Sequence, residues 1–155
     1  MTLFRGQFRH SLDSKGRVHV PARFRELKGE LKDPLGSAPL YVTRALFDRC
    51  LHLHPASHFE ELEAKVSEYP LMDPNIVQFR RRYLSAAVEC ELDATGRLLV
   101  PQQLRELGGF EREVLWVGMG RHIELWAPCE WERALAMTPE QESEFKKAIL
   151  EQFKI

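Results

Sequence analysis

The chain repeats itself. Residues 8–27 read FRHSLDSKGRVHVPARFREL and residues 88–107 read VECELDATGRLLVPQQLREL. In one ungapped register, nine of the twenty positions are identical: Leu12/Leu92, Asp13/Asp93, Gly16/Gly96, Arg17/Arg97, Val20/Val100, Pro21/Pro101, Arg25/Arg105, Glu26/Glu106 and Leu27/Leu107. The likeness extends further along each copy, where RCLHLHPASHFEEL (49–62) resembles RHIELWAPCEWERA (121–134). A unit of about twenty residues cannot bury its own apolar face. The two copies must therefore pack together, and one chain supplies both.

Each core has a local physical reading. FRHSLD and VECELD read as short strands. Asp13 and Asp93 end them, where a carboxylate accepts backbone N–H bonds from the turn that follows. Gly16 and Gly96 supply the positive φ of a tight loop. VHV and LLV start a return strand. Pro21 and Pro101 lack an amide donor and suit the start of a helix. The helices ARFREL and QQLREL then place Phe24 with Leu27, and Leu104 with Leu107, on one face. The unit is strand, DxxGR turn, strand, Pro, short helix.

Composition narrows the class. The chain has 155 residues, 29% charged and 44% hydrophobic, which suits one soluble globular domain. No stretch approaches the roughly 20 apolar residues of a spanning helix, and MTLFRGQFRH has no apolar core of a leader. The three cysteines, Cys50, Cys90 and Cys129, are odd in number and scattered, as expected of reduced thiols in a cytosol. The formal net charge of −1 argues against nucleic acid only as an average. Residues 1–28 carry seven basic and two acidic groups, residues 29–84 seven and eight, and residues 85–155 eight and thirteen. A basic start and an acidic end point to an anionic partner for the first copy.

The paired D-x-x-G-R turns, the Pro-led helices and the Phe4-Arg5-Gly6 start resemble the MraZ family, over nearly the whole chain from Phe4 to about Trp131. That resemblance implies two tandem AbrB-like swapped-hairpin motifs in an α+β fold, a pseudo-two-fold β-barrel with flanking helices. The expected organisation is repeat 1 over 7–54, a helical linker over 55–84, repeat 2 over 85–129 and a helical tail over 130–155. The implied function is a sequence-specific DNA-binding transcriptional regulator of the bacterial cytoplasm and nucleoid, not an enzyme. It would act on short direct repeats in the promoter of the division and cell-wall gene cluster, including its own gene, as a closed homo-oligomeric ring. AbrB-like hairpins also occur in antitoxin-type proteins, so binding of a protein partner is the alternative.

The copies differ in charge. Arg9 becomes Glu89, Ser11 becomes Glu91, Lys15 becomes Thr95 and Arg23 becomes Gln103. A two-stranded ribbon fits the DNA major groove, where Lys and Arg bind phosphates and Arg reads guanine. Lys15 and Arg17 are therefore the expected groove residues, with Arg5, Arg9 and Arg23 on flanking phosphates. Asp13, Gly16, Asp93, Gly96 and Arg97 are expected to be structural turn residues, since Arg97 has acidic flanks and an Asp four residues before it.

Between the repeats, PASHFEELEAKVSEYP reads as a helix with Phe59, Leu62, Val66 and Tyr69 on one face. Asp73-Pro74 caps a second helix, with Ile76, Phe79 and Tyr83 facing inward. Arg80-Arg81-Arg82 spreads around that helix as a mainly solvated run. Thr138-Pro139-Glu140-Gln141 is a capping-box start for a last helix, whose Phe145, Ile149 and Phe153 should pack on the core or on a neighbouring subunit. Cys50, His52 and His54 alternate on one strand face with His58 nearby, but only His54–His58 has a zinc-ligand spacing and no Cys pair completes it. No metal and no cofactor are expected. There is no G-x-S-x-G, HExxH or phosphate-cradling Gly loop to suggest catalysis.

Overall fold

The computed structural model describes residues 4–26 and 39–155. Repeat 1 supplies β1 (Gln7–Ser11), β2 (Arg17–His19), α1 (Ala22–Arg25), β3 (Leu40–Arg44) and β4 (Leu51–Pro55), and the linker opens with α2 (Ala56–Ser67). Helix α3 (Pro74–Phe79) runs on into a wider π-helical turn, Arg80–Leu84. Repeat 2 supplies β5 (Val88–Cys90), β6 (Arg97–Leu99), α4 (Gln102–Gly108), β7 (Glu113–Gly118), β8 (Ile123–Trp126) and α5 (Pro128–Leu135), and α6 (Pro139–Phe153) follows.

The strands pair across the repeats. Six of them form one antiparallel sheet in the order β1-β7-β8-β4-β3-β5. The first strand of each repeat pairs with the third strand of the other, β1 with β7 and β5 with β3. The return strands β2 and β6 pair with each other as a separate two-stranded ribbon. The hairpin expected within each copy is therefore confined to its turn, plus a single bridge between Leu92 and Leu98. Matching residues face one another at the centre. Val18 sits opposite Leu98, and His52 opposite Glu124. A pseudo-two-fold axis thus runs through the ribbon and between β4 and β8. The sheet is open, with β1 and β5 as edges, so the closed barrel implied by the resemblance is not formed among the described residues.

The ribbon and its helices lie on one face of the sheet. Val18, Val20 and Phe24 from repeat 1 and Leu98, Val100 and Leu104 from repeat 2 bury against Leu40, Val42, Leu51, Leu53, Val114, Trp116, Ile123 and Leu125. Phe24 packs edge-on to Phe4, Phe8 and Trp116, with ring centroids 5.5, 5.3 and 6.4 Å apart. Leu27, its expected companion, lies outside the described residues. Leu107 points to solvent, because α4 buries Leu104 and Gly108 instead.

The other face is polar at its centre and covered by the linker. Phe59 of α2 stacks on Tyr41 at 4.5 Å. Asp73 caps α3 by accepting from the Asn75 and Ile76 amides. The π-helical turn brings Tyr83 onto the sheet, where its backbone carbonyl accepts from Thr43 Oγ1 at 2.6 Å. Its hydroxyl meets His52 Nδ1 at 2.8 Å and His54 Nε2 at 2.6 Å. Val66 and Tyr83 are buried, while Leu62, Ile76 and Phe79 are half-buried. Tyr69 departs from the expected stripe, because α2 ends before it and leaves it exposed. At the C-terminus the Thr138–Gln141 capping box forms as its sequence requires. Phe145 and Phe153 do not pack on this chain's core; they are 44% and 60% exposed.

The buried histidines set an acid limit on stability. Burial, then the neighbouring His122 and His52, pushes the His54 pKa down to about 3. Burial and His52 push His122 down to about 4, against a small opposing pull from Glu124. An unfolded histidine takes its proton near pH 6.5, so between there and pH 4 the unfolded chain binds more protons than the folded one. Stability should therefore fall as pH drops below about 6.5, by up to about 1.4 kcal/mol per pH unit for each histidine. Urea unfolding midpoints at pH 7.5 and pH 5 measure this, and replacing His54 by Phe should flatten the slope.

Candidate nucleic-acid interface

The two DxxGR turns are built alike. Asp13 Oδ1 accepts from the Lys15 and Arg17 amides, both at 2.9 Å, and Oδ2 accepts from Arg17 Nε at 2.8 Å. Asp93 Oδ1 accepts from the Thr95 and Arg97 amides at 3.0 and 2.9 Å, and Oδ2 from Arg97 Nε at 2.8 Å. The Arg17 backbone amide, then the Arg17 side chain and the Lys15 amide, hold the Asp13 pKa down to about 2. The corresponding donors hold Asp93 low as well, with the Arg97 amide first. Arg17 and Arg97 thus both brace their own turn through Nε. Both arginine side chains remain partly exposed, 34% for Arg17 and 30% for Arg97.

The turns differ at the tip. Lys15 is exposed and its ammonium makes no ion pair among the described residues. The Thr95 hydroxyl instead folds back onto Asp93 Oδ1 at 2.9 Å. Repeat 1 therefore presents a cation on a loop whose backbone is already fixed, and repeat 2 presents a closed polar cap.

Strand exchange also trades the neighbours of each turn. Val20 N donates to Gly96 O at 3.0 Å, and Val100 N donates to Gly16 O at 2.9 Å. The helix of one copy then covers the turn of the other. A Cβ built on Gly16 would meet the Arg105 guanidinium at 2.5 Å, and one on Gly96 would meet Arg25 at 2.8 Å. Both glycines also have positive φ, 87° and 81°. The shared Arg25/Arg105 pair, left without a role by the sequence, lies over these glycines. The signal was present in the spacing, since each Arg follows its own Gly by nine residues in both copies.

The same crossing relocates Arg23. It lies on α1 with Arg25, beside the second turn, not beside Lys15 as the order of the repeat suggests. The two turns lie at opposite ends of the β2–β6 ribbon, about 13 Å apart at strand rise per residue. Arg9 is exposed on the edge strand β1, with only a loose solvent-exposed pairing to Glu113 at 3.6 Å. Arg5 is exposed just before β1, about 26 Å of extended chain from Asp13. Lys15 and Arg17 thus share the first turn, Arg9 projects from the sheet face opposite the ribbon, with its register partner Leu115, and Arg5 and Arg23 stand apart. In the linker, Arg81 and Arg82 are exposed, and Arg82 Nε donates to Gln78.

A fold made of two interleaved copies of one turn-bearing unit, with a basic tip on one of them, defines a class of small β-rich, hairpin-presenting proteins. Comparison with known proteins narrows this. The family model described as "MraZ protein, putative antitoxin-like" matches the chain twice, over residues 3–82 and 83–152. A Transcriptional regulator MraZ of Natranaerobius thermophilus is 38% identical over 130 residues, covering 84% of this chain and 85% of that protein. One of Desulforamulus reducens is 39% identical over 131 residues, covering 84% and 86%. One of Roseiflexus is 36% identical over 149 residues, covering 96% and 98%. The chain belongs to the MraZ family, whose members are regulators of transcription and not enzymes.

The Gly–Arg packing makes a direct prediction. Gly16→Ala should cost at least about 1 kcal/mol through its positive φ alone, and more through the clash with Arg105. In a double-mutant cycle, Arg105→Ala should remove part of the cost of Gly16→Ala. Strict additivity of the two in chemical denaturation would show that the guanidinium does not press on the turn.

Proposed function

We propose that this chain is a DNA-binding transcriptional regulator whose Asp13–Arg17 turn enters the major groove. The observation that carries this reading is the pinned turn that leaves Lys15 free while its counterpart Thr95 is tied down. A preformed loop loses little further entropy on binding. Lys15 would take a phosphate or a base edge, and the outer nitrogens of Arg17 a guanine or a phosphate. Arg9, exposed on the edge strand β1, would meet a flanking phosphate. Arg5 and Arg23 would reach phosphates further along the duplex. The exchanged strands are what a swapped-hairpin AbrB-like unit would require, and we read them so. The family names of the relatives support regulation of transcription.

In this reading the targets are short direct repeats in the promoter of the division and cell-wall gene cluster, including the protein's own gene. Direct repeats follow from head-to-tail subunits, which present the same loop in the same sense. A homo-oligomeric ring would multiply one weak basic tip into an avid rim. The uncovered α6 stripe of Phe145, Leu150 and Phe153 is a surface such assembly could use. No helix among the described residues is long and apolar enough to cross a membrane, and a cytoplasmic, nucleoid-associated location accompanies the proposed role. The same exposed stripe favours a second reading, capture of a protein partner in the antitoxin manner. That partner would co-purify after nuclease treatment.

The test is a binding titration on DNA upstream of the protein's own gene, with salt varied and unrelated DNA as competitor. Lys15→Ala should lower the slope of log K against log salt by about one. Arg17→Ala should weaken specific binding far more than Arg97→Ala. The second variant is a matched control, because both arginines brace their turns alike. Equal losses from two folded variants would contradict the assignment of DNA to the first turn.

A further inference from the structure

The buried face around the central β4–β8 pair gathers donors from both repeats. Cys50 immediately precedes β4 and falls two residues before His52, on the same side of the chain, and Glu124 stands directly opposite His52 on β8. Cys50 Sγ lies 3.9 Å from Glu124 Oε2, and His52 Nε2 lies 3.2 Å from the same oxygen. One donor atom from each residue falls within 4.8 Å of the other two. A tetrahedral ion with bonds of about 2.3 Å to sulfur and about 2.1 Å to nitrogen and oxygen separates S from O by about 3.6 Å and N from O by about 3.4 Å. The two observed spacings lie within about 0.3 Å of that geometry.

Charge points the same way. Glu124 is a carboxylate only 8% exposed. It sits 3.2 Å from His52 Nε2 and accepts from Trp126 Nε1 at 3.0 Å. Its neighbour Cys50 is a buried free thiol. A buried charge is costly without a counter-charge. One divalent cation bound to the carboxylate and to a thiolate makes a neutral unit, with the thiol proton released to solvent. Sulfur and imidazole donors select the zinc class over magnesium or calcium, which take oxygen.

We propose that Cys50 Sγ, His52 Nε2 and Glu124 Oε2 form a binding site for one zinc-class divalent cation, with water in the fourth position. The surroundings orient each ligand. Trp126 Nε1 donates to Glu124 Oε1 at 3.0 Å, which leaves Oε2 for the ion. With the ion in place, the Tyr83 hydroxyl accepts from His52 Nδ1–H and donates to His54 Nε2, and His52 Nε2 exchanges its contact with Glu124 for the ion. Such a partner on the second ring nitrogen is the usual support of a metal-bound histidine. Beside them, the His122 ring centroid lies 4.6 Å from that of His52, and its buried Nε2 has no hydrogen-bond partner among the described residues. The half-buried edge of His52 is the route in. An ion here would fasten the two repeats on their pseudo-two-fold axis. The sequence did not reveal it, because the ligands come from opposite repeats and no local spacing joins them.

Titration of the untagged, chelator-stripped protein with Co2+ tests this. The expected result is a saturable thiolate-to-cobalt charge-transfer band at one ion per chain, displaced by Zn2+, with Zn2+ raising the melting temperature. Cys50→Ser should abolish the band, whereas Cys129→Ser should keep it. Tyr83→Phe should weaken Co2+ affinity about tenfold or more. The absence of a charge-transfer band in the folded wild-type protein overturns the proposal, whatever the variants do. A band that survives Cys50→Ser overturns it equally.

Discussion

The pairing of β2 with β6 is short, only three residue pairs, yet the rest of the molecule depends on it. Each strand leaves its own repeat to join the other, and carries its Pro-led helix with it. That crossing sets Phe24 and Leu104 into a common core. It also lays Arg105 over Gly16 and Arg25 over Gly96. Neither repeat can adopt its own conformation alone, since the first strand of each completes its hydrogen bonds on the third strand of the other. Folding of the two copies is therefore one event, and contacts about eighty residues apart in sequence govern it.

A symmetric frame can carry an asymmetric surface. The positions that hold the turns, Asp13 and Asp93, Gly16 and Gly96, Arg17 and Arg97, are the same in both copies and are used in the same way. The positions that face solvent are free to differ. Lys15 against Thr95 gives the two ends of the ribbon different characters, and Arg9 against Glu89 does the same for the two edge strands of the sheet. The net charge of −1 conceals this, because it sums a basic opening and an acidic second half. The same freedom operates on the axis, where the equivalent positions His52 and Glu124 have become a complementary pair.

Local chemistry was legible in the sequence, and long-range partnership was not. The Asp-anchored turns, the positive-φ glycines, the Asp73 cap and the Thr138–Gln141 box each depend on residues within four positions of one another, and all are formed. The return strands were legible as strands, but not as partners, because nothing local tells β2 to choose β6 over β1. Arg23 follows from that choice: in sequence it sits near Lys15, while in space it attends the second turn. Leu107 and Tyr69 were misplaced for a different reason. Helical spacing predicts a face, but α4 buries a glycine in place of the leucine, and α2 stops before the tyrosine. Cys50 and His52 were legible as neighbours on one strand face, but Glu124 was not, since it joins them only once the repeats are interleaved.

The central claim is that two turns of the same architecture have divided their work, and that only the first meets DNA. Backbone amide chemical-shift mapping during titration with duplex DNA from upstream of the gene tests this most directly, because it reads both turns in one experiment without mutation. The account predicts large shifts at Ser14, Lys15 and Gly16 and small ones at Ala94, Thr95 and Gly96. Equal shifts at the two turns, or larger shifts at the second, would contradict it.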